Sequence, residues 1–183
     1  MAREIQVFIA GFGGQGVLAI GKFLAYAAME EGKNVTWVPS YGAEMRGGTA
    51  NCLVTIGDDE VSSPLTEHPG TAIIMNRPSL DKFEDKIRSK GTVVLNTSLV
   101  DRLPKREDLN VIKIPVNQLA EEINNPRGAN MILLGAYLQK TQILEMSAVM
   151  DKFDIIFEGK KANVIEQNRI AFQAGVEYAV GNL

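Results

Sequence analysis

Three observations in the sequence predict an α/β fold built on a mixed sheet. A short apolar run at Ile5 to Ala10 (IQVFIA) leads directly into a glycine turn and then a helical pattern. Strand and helix patterns alternate again after residue 71. Between the two regions, Pro39 to Gly48 (PSYGAEMRGG) is too rich in turn formers to be a crossover helix, so an antiparallel strand or hairpin must take its place.

The elements follow in order. Ile5–Ala10 is nearly all apolar, as a strand buried on both faces requires. Val17 to Glu31 carries Val17, Gly21, Leu24 and Ala28 at helical spacing, and Gly32 is placed to end that helix in a left-handed conformation. Asn34–Val38 (NVTWV) is the second strand, and the resulting βαβ unit implies a parallel pair. Thr49–Ile56 (TANCLVTI), Thr71–Asn76 (TAIIMN) and Thr92–Asn96 (TVVLN) read as further strands, with a short helix around Ser79–Arg88. Val111–Val116 (VIKIPV) reads as the last central strand. The C-terminal third reads as helical: Arg127–Lys140, a second helix around Glu145–Phe153, and a final one from Asn163 to Val180. Asn163 with Glu166 resembles a capping box at the start of that last helix. Pro104 and Pro115 punctuate loops or edges. With no repeat, low-complexity tract or linker, residues 1–183 read as one compact α/β domain.

Composition excludes several functional classes. The 183 residues hold 19 Lys+Arg against 22 Asp+Glu, a formal charge of −3, which leaves no basic excess for a nucleic-acid binder. One cysteine (Cys52) and one histidine (His68) supply neither a disulfide framework nor a ligand set for zinc or an iron–sulfur cluster within the chain, so no metal site is expected. The N-terminus lacks a signal-peptide pattern, and no apolar run approaches the roughly 18–20 residues that span a bilayer. These features lead to the expectation of a cytoplasmic protein without a membrane partner.

Two glycine-rich segments carry what chemistry there is. Gly11-Phe12-Gly13-Gly14-Gln15-Gly16 matches G-x-G-x-x-G between a strand and a helix, where the backbone turns tightly and the helix N-terminus presents free N–H groups. Binding of a dinucleotide also needs an acid at the end of the second strand, and Val38-Pro39-Ser40-Tyr41 has none. The readings left open are a phosphate or cofactor seat, an edge for a partner protein, and close helix–strand packing. The second segment is Tyr41-Gly42-Ala43-Glu44-Met45-Arg46-Gly47-Gly48, whose place after the second strand puts it at the carboxyl edge beside the glycine turn. Its alternative is a glycine-rich hairpin with incidental charges. On the parallel-neighbour reading, Gly13, Gly14, Gly16, Glu44 and Arg46 form one surface. Asn130-Met131-Ile132-Leu133-Leu134-Gly135-Ala136 places Gly135 inside an apolar helix, where close helix–sheet packing explains it, and Asn130 near that helix's start, to cap it or to face the loops.

A catalytic constellation is missing. His68 lies in a polar loop with no nucleophile beside it, Cys52 lies mid-strand as a buried inert thiol, and no carboxylates are paired. The residues describe a binding domain and assign no catalytic side chain.

With IAGFGGQGV at 9–17, SYGAEMRGGTANC at 40–52 and NMILLGA at 130–136 in this order, the chain resembles the gamma subunit of 2-oxoacid:ferredoxin oxidoreductases over essentially its whole length. Gly11, Gly13, Gly14, Gln15 and Gly16 match the first family motif, and Tyr41, Gly42, Glu44, Arg46, Gly47 and Gly48 the second. The resemblance implies a three-layer αβα, Rossmann-like domain with a mixed, mostly parallel sheet. It implies oxidative decarboxylation of a 2-oxo acid with coenzyme A to acyl-CoA, carbon dioxide and reduced ferredoxin, with 2-oxoglutarate favoured over branched-chain 2-oxo acids or pyruvate. Thiamine diphosphate and iron–sulfur clusters would belong to partner alpha, beta and delta or ferredoxin-type subunits. This chain would contribute a contact to coenzyme A or to those subunits, through the residues of the two motifs. An isolated chain would then be inactive and would self-associate through apolar surface meant for its partners. The competing expectation is a stand-alone nucleotide-binding or regulatory module.

Overall fold

The computed structural model describes residues 4–41 and 49–181. The chain runs β1 (Glu4–Phe12), α1 (Val17–Glu30), β2 (Asn34–Tyr41), β3 (Thr49–Gly57), β4 (Thr71–Ile74), α2 (Arg77–Phe83), β5 (Thr92–Asn96), β6 (Asn110–Ile114), α3 (Val116–Glu122), α4 (Ala129–Thr141), α5 (Met146–Met150), α6 (Phe153–Ile156) and α7 (Ala162–Gly181). Short 3-10 turns follow α2 and precede α4. The described strands form one sheet in the order β2-β3-β1-β4-β5-β6. It is mixed: β3 pairs antiparallel with both β1 and β2, while β1-β4, β4-β5 and β5-β6 pair in parallel.

The expected β1-α1-β2 unit therefore needs a correction. The two strands run the same way, but β3 lies between them and they are not neighbours. The helical crossover spans the width of one strand, and the antiparallel return of β3 fills that gap. This also explains Pro39, which lies within β2, because β2 is an edge strand and one side of its backbone needs no partner. β6 is likewise an edge and not a central strand, and Val116 opens α3 instead of ending β6.

Alternation along the strands divides the core between the two faces of the sheet. Val7 and Ile9 of β1, with Cys52, Val54 and Ile56 of β3, pack under α1, α4 and α7. Ala10, Ala72, Ile74, Val93 and Leu95 face the other way, onto Leu80, Phe83 and Ile87. Helices thus cover both faces, giving the three-layer αβα arrangement, though the second layer is the thinner. β5 reaches β6 without a helix. The connecting segment is held by Arg102, whose guanidinium bridges to the buried Glu84 carboxylate at 2.7 Å and keeps it below the usual carboxylate range.

In the helical third, Gly135 packs helix against helix, not helix against sheet. A Cβ on Gly135 would overlap the Phe172 carbonyl oxygen of α7, and one on Gly175 would overlap the Ile132 carbonyl oxygen of α4. The expected helix at Glu145–Phe153 is two short ones, α5 and α6. Asn163 sits inside the first turn of α7, which begins at Ala162, so it does not cap that helix.

Candidate functional site

Beginning at β1, Gly11 is still strand, paired with Ala50. It has no room for a side chain, because a Cβ would lie 2.7 Å from Gln15 Oε1 and 2.9 Å from Met75 Cβ. The backbone then reverses over Phe12–Gln15, with the Gln15 N–H donating to the Phe12 carbonyl at 3.1 Å. Gly14 at φ +97° and Gly16 at φ +76° hold conformations that L side chains rarely adopt. Gly16 is also the N-cap of α1, so no side chain caps the first turn of that helix. Its open N–H groups and partial positive charge face outward beside the turn.

The turn is braced by amides. Gln15 Oε1 accepts the Phe12 N–H at 2.7 Å and the Asn76 side-chain N–H at 2.9 Å, while Asn76 Oδ1 accepts the Ser79 N–H and caps α2. The Gln15 amide oxygen is thus spent on holding the loop in shape. Asn96, fully buried at the end of β5, donates to the Met75 carbonyl and to Asn117 Oδ1. A row of carboxamides, Gln15, Asn76, Asn96 and Asn117, crosses the carboxyl ends of β1, β4 and β5 to the start of α3. That row lies where the chain changes direction across the sheet: β1 is followed by β2 on one side, and β3 by β4 on the other. Ligands in open α/β sheets bind at such a point.

Pockets of about 300–1,000 Å³ suit small-molecule ligands and cofactors, and one of about 640 Å³ opens here, between Gly14, Gln15 and Gly16, the start of α4 and the segment around Lys160. Asn130 of α4 packs directly over Gly16, which explains why that position tolerates no Cβ. Arg127 and Lys160 line the crevice and form no ion pair among the described residues; its described lining includes no carboxylate. The site therefore offers two cations with no ion pair among the described residues, an uncapped helix N-terminus and several amides, a combination suited to phosphate or another anion.

Of the residues singled out in the sequence, Gly14, Gln15 and Gly16 line this crevice, Gly11 lies under the turn, and Gly13 forms part of it. Tyr41 ends β2 opposite Ala50, and Phe12 ends β1 opposite Thr49, so the chain leaves both strands at the same edge with β3 between. Gly42, Glu44, Arg46, Gly47 and Gly48, and with them the expected joint surface, lie outside the described residues. Asn76, Asn96, Asn117, Arg127 and Lys160 were not anticipated. A signal was present for two of them, since TAIIMN and TVVLN both end in Asn.

Cys52 is buried in β3, its thiol donating to the Val17 carbonyl at 3.6 Å, and burial pushes its pKa up to about 12. It is a buried, protonated and unreactive thiol at neutral pH. His68 is exposed, with Nδ1 3.1 Å from the Lys86 carbonyl oxygen. Among the described residues no three His, Cys, Asp or Glu side chains form a metal-ligand group, and no helix is long and apolar enough to cross a membrane.

Fold and crevice together define a three-layer α/β domain with an anion-suited site at its carboxyl edge. A family model described as pyruvate ferredoxin/flavodoxin oxidoreductase matches residues 6–178, and the chain belongs to that family. It is 39% identical to the ketoisovalerate oxidoreductase subunit VorA of Methanothermobacter marburgensis across 99% of its own length, but spans 38% of that longer relative. It is 34% identical to the 2-oxoglutarate synthase subunit KorC of Methanocaldococcus jannaschii, covering 98% of this chain and 95% of that one. The solved gamma subunit of a keto/oxoacid ferredoxin oxidoreductase from Geobacter sulfurreducens superposes with a TM-score of 0.80 at 25% identity, covering 97% and 99% of the two chains.

Proposed function

We propose that residues 1–183 form the gamma-type domain of a cytoplasmic 2-oxoacid:ferredoxin oxidoreductase, and that its crevice holds the phosphate-bearing part of coenzyme A against the glycine turn. The observation that carries this reading is the pairing of Arg127 and Lys160 with the uncapped α1 N-terminus in one crevice. In this role Gly14 and Gly16 give close backbone approach, the α1 N–H groups and the two cations hold phosphate oxygens, and Gln15 keeps the turn in shape. Glu44 and Arg46, with Tyr41, Gly42, Gly47 and Gly48, would extend this surface toward coenzyme A or a partner subunit. Thiamine diphosphate and iron–sulfur clusters belong to the alpha, beta and ferredoxin-type subunits in this scheme, since one buried cysteine does not supply the several thiolates that hold a cluster. Exposed apolar side chains at Met29, Leu65, Leu103, Ile155, Ile170 and Val180 would serve subunit packing or, in the isolated chain, self-association.

For the substrate we propose 2-oxoglutarate, supported by the near full-length match to a 2-oxoglutarate synthase subunit. The higher identity to a ketoisovalerate oxidoreductase subunit favours a branched-chain 2-oxo acid as the second reading. The test is co-purification of the tagged chain with its partners, then ferredoxin reduction with 2-oxoglutarate, ketoisovalerate and pyruvate, each with and without coenzyme A. Turnover dependent on coenzyme A and fastest with 2-oxoglutarate is expected. A chain that recruits no thiamine-dependent partner would overturn the assignment.

A further inference from the structure

In the amide row two nitrogens, Gln15 Nε2 and Asn117 Nδ2, donate to no acceptor among the described residues, and the second is aimed by a completely buried neighbour. Asn96 is completely buried and is pinned at both ends of its carboxamide: Oδ1 accepts the Ser98 N–H at 3.2 Å, and Nδ2 donates to the Met75 carbonyl at 3.3 Å. Its orientation is therefore set by backbone atoms, which cannot exchange donor for acceptor. Its Nδ2 also donates to Asn117 at 2.8 Å, so the atom of Asn117 that faces it must be the oxygen. The Asn117 amide nitrogen is consequently turned away from Asn96. It donates to no acceptor among the described residues, and the side chain lines the crevice. The backbone adds to this hold, because Ser98 Oγ accepts the N–H groups of Asn117 and Gln118 at 3.1 and 3.3 Å and fixes the start of α3.

We infer that Asn117 is a ligand-binding residue, a neutral donor to a phosphate oxygen of the molecule seated on the glycine turn, and that Asn96 is the positioning residue that aims it. The inference rests on the assignment of coenzyme A to this crevice. An amide suits the role physically. It adds a directional hydrogen bond beside Arg127 and Lys160 without a third positive charge, and a pre-oriented donor loses little freedom on binding.

The test uses the assembled multi-subunit enzyme with coenzyme A as the varied substrate. Asn117→Asp keeps an oxygen for Asn96 but replaces the donor by a charged acceptor. It is expected to raise KM for coenzyme A about tenfold or more, with kcat at saturation and the melting temperature nearly unchanged. Asn117→Ala is expected to raise it about three- to fivefold. Asn96→Ala is expected to raise KM by a similar factor, and the Asn96→Ala/Asn117→Ala double variant no further than Asn117→Ala, because aiming has no effect once the donor is gone. Should Asn96→Ala fail to assemble, the two Asn117 variants still decide. Arg127→Gln is the control for the crevice itself. If it raises KM while Asn117→Asp leaves KM unchanged, the role of Asn117 is overturned and the coenzyme A assignment survives. If neither variant changes KM, both are overturned.

Discussion

At the crossing of α4 and α7, a Cβ on Gly135 or Gly175 would run into a backbone carbonyl of the opposing helix, whereas a Cβ on Gly14 would meet no described heavy atom within 4 Å. The helix-crossing glycines have ordinary negative φ and lack space; Gly14 has space and a φ of +97°. One pair is glycine because two backbones touch, the other position because the chain must turn and leave a surface open. Gly16 combines both reasons, with φ +76° and Asn130 pressed against it. A glycine motif is thus a mixture of packing and conformational requirements, and only the open position has room for a ligand to approach the backbone.

The largest expected effect comes from closing the helix crossing. Gly175→Ala should destabilise the fold by about 3 kcal/mol or more, because neither opposing backbone can yield without separating α4 from α7. Thermal unfolding should then fall by roughly 6–12 °C. A fall of a degree or two would show that the crossing relaxes easily, and the contrast with Gly14 would dissolve. Gly16→Ala comes next, at about 2–3 kcal/mol, from a left-handed φ and displacement of Asn130. Urea unfolding measures it, and Asn130→Ala in the same background should recover part of the loss if packing contributes.

Gly14→Ala should cost stability about 1–2 kcal/mol, from conformation rather than contact. Its signature is functional: the assembled enzyme should lose affinity for coenzyme A while the melting temperature moves by a few degrees. An unchanged KM would reassign Gly14 to the purely conformational class.

Gly21 lies beneath the Cys52 thiol, where a Cβ would be 2.7 Å from Sγ, and so belongs with the packed glycines. This gives the smallest effect at neutral pH and a clear one in alkali. The folded thiol has its pKa raised to about 12 from an ordinary value of 9.0. Below that ordinary value both states are protonated and nothing changes. Above it the unfolded chain releases a proton that the folded chain retains, so stability should fall by about 1.4 kcal/mol per pH unit until the folded thiol also titrates. Cys52→Ala should lack this component, seen as a shallower decline of melting temperature above pH 9 than in the parent. Identical slopes would mean that the thiol is not desolvated as the structure indicates.

The elements were legible in the sequence wherever local chemistry sets them. The apolar runs of β1, β3 and β5, the left-handed Gly32 and the glycine turn before α1 were all readable from residue type and spacing. α3 was missed because VIKIPV continues the strand pattern through Pro115, and the break there is a backbone event. The site was half legible. Glycines 11–16 announced the turn, but Arg127 and Lys160 reach it from distant segments, and Asn76 and Asn96 read only as the last residues of two strands.

The sequence by itself determined the fold class, the presence of one antiparallel strand and the glycine turn on a helix N-terminus, because each depends on periodicity or on a residue's own allowed φ and ψ. Its paired motifs also carried the family resemblance. Only the tertiary structure decided that β3 separates β1 from β2, that Gly135 meets a helix instead of the sheet, and that two cations and a row of carboxamides converge on one crevice. Those outcomes depend on which segments distant in sequence share a surface. Strand order and helix crossing are settled by burial summed over the whole chain, to which any local window contributes a small part.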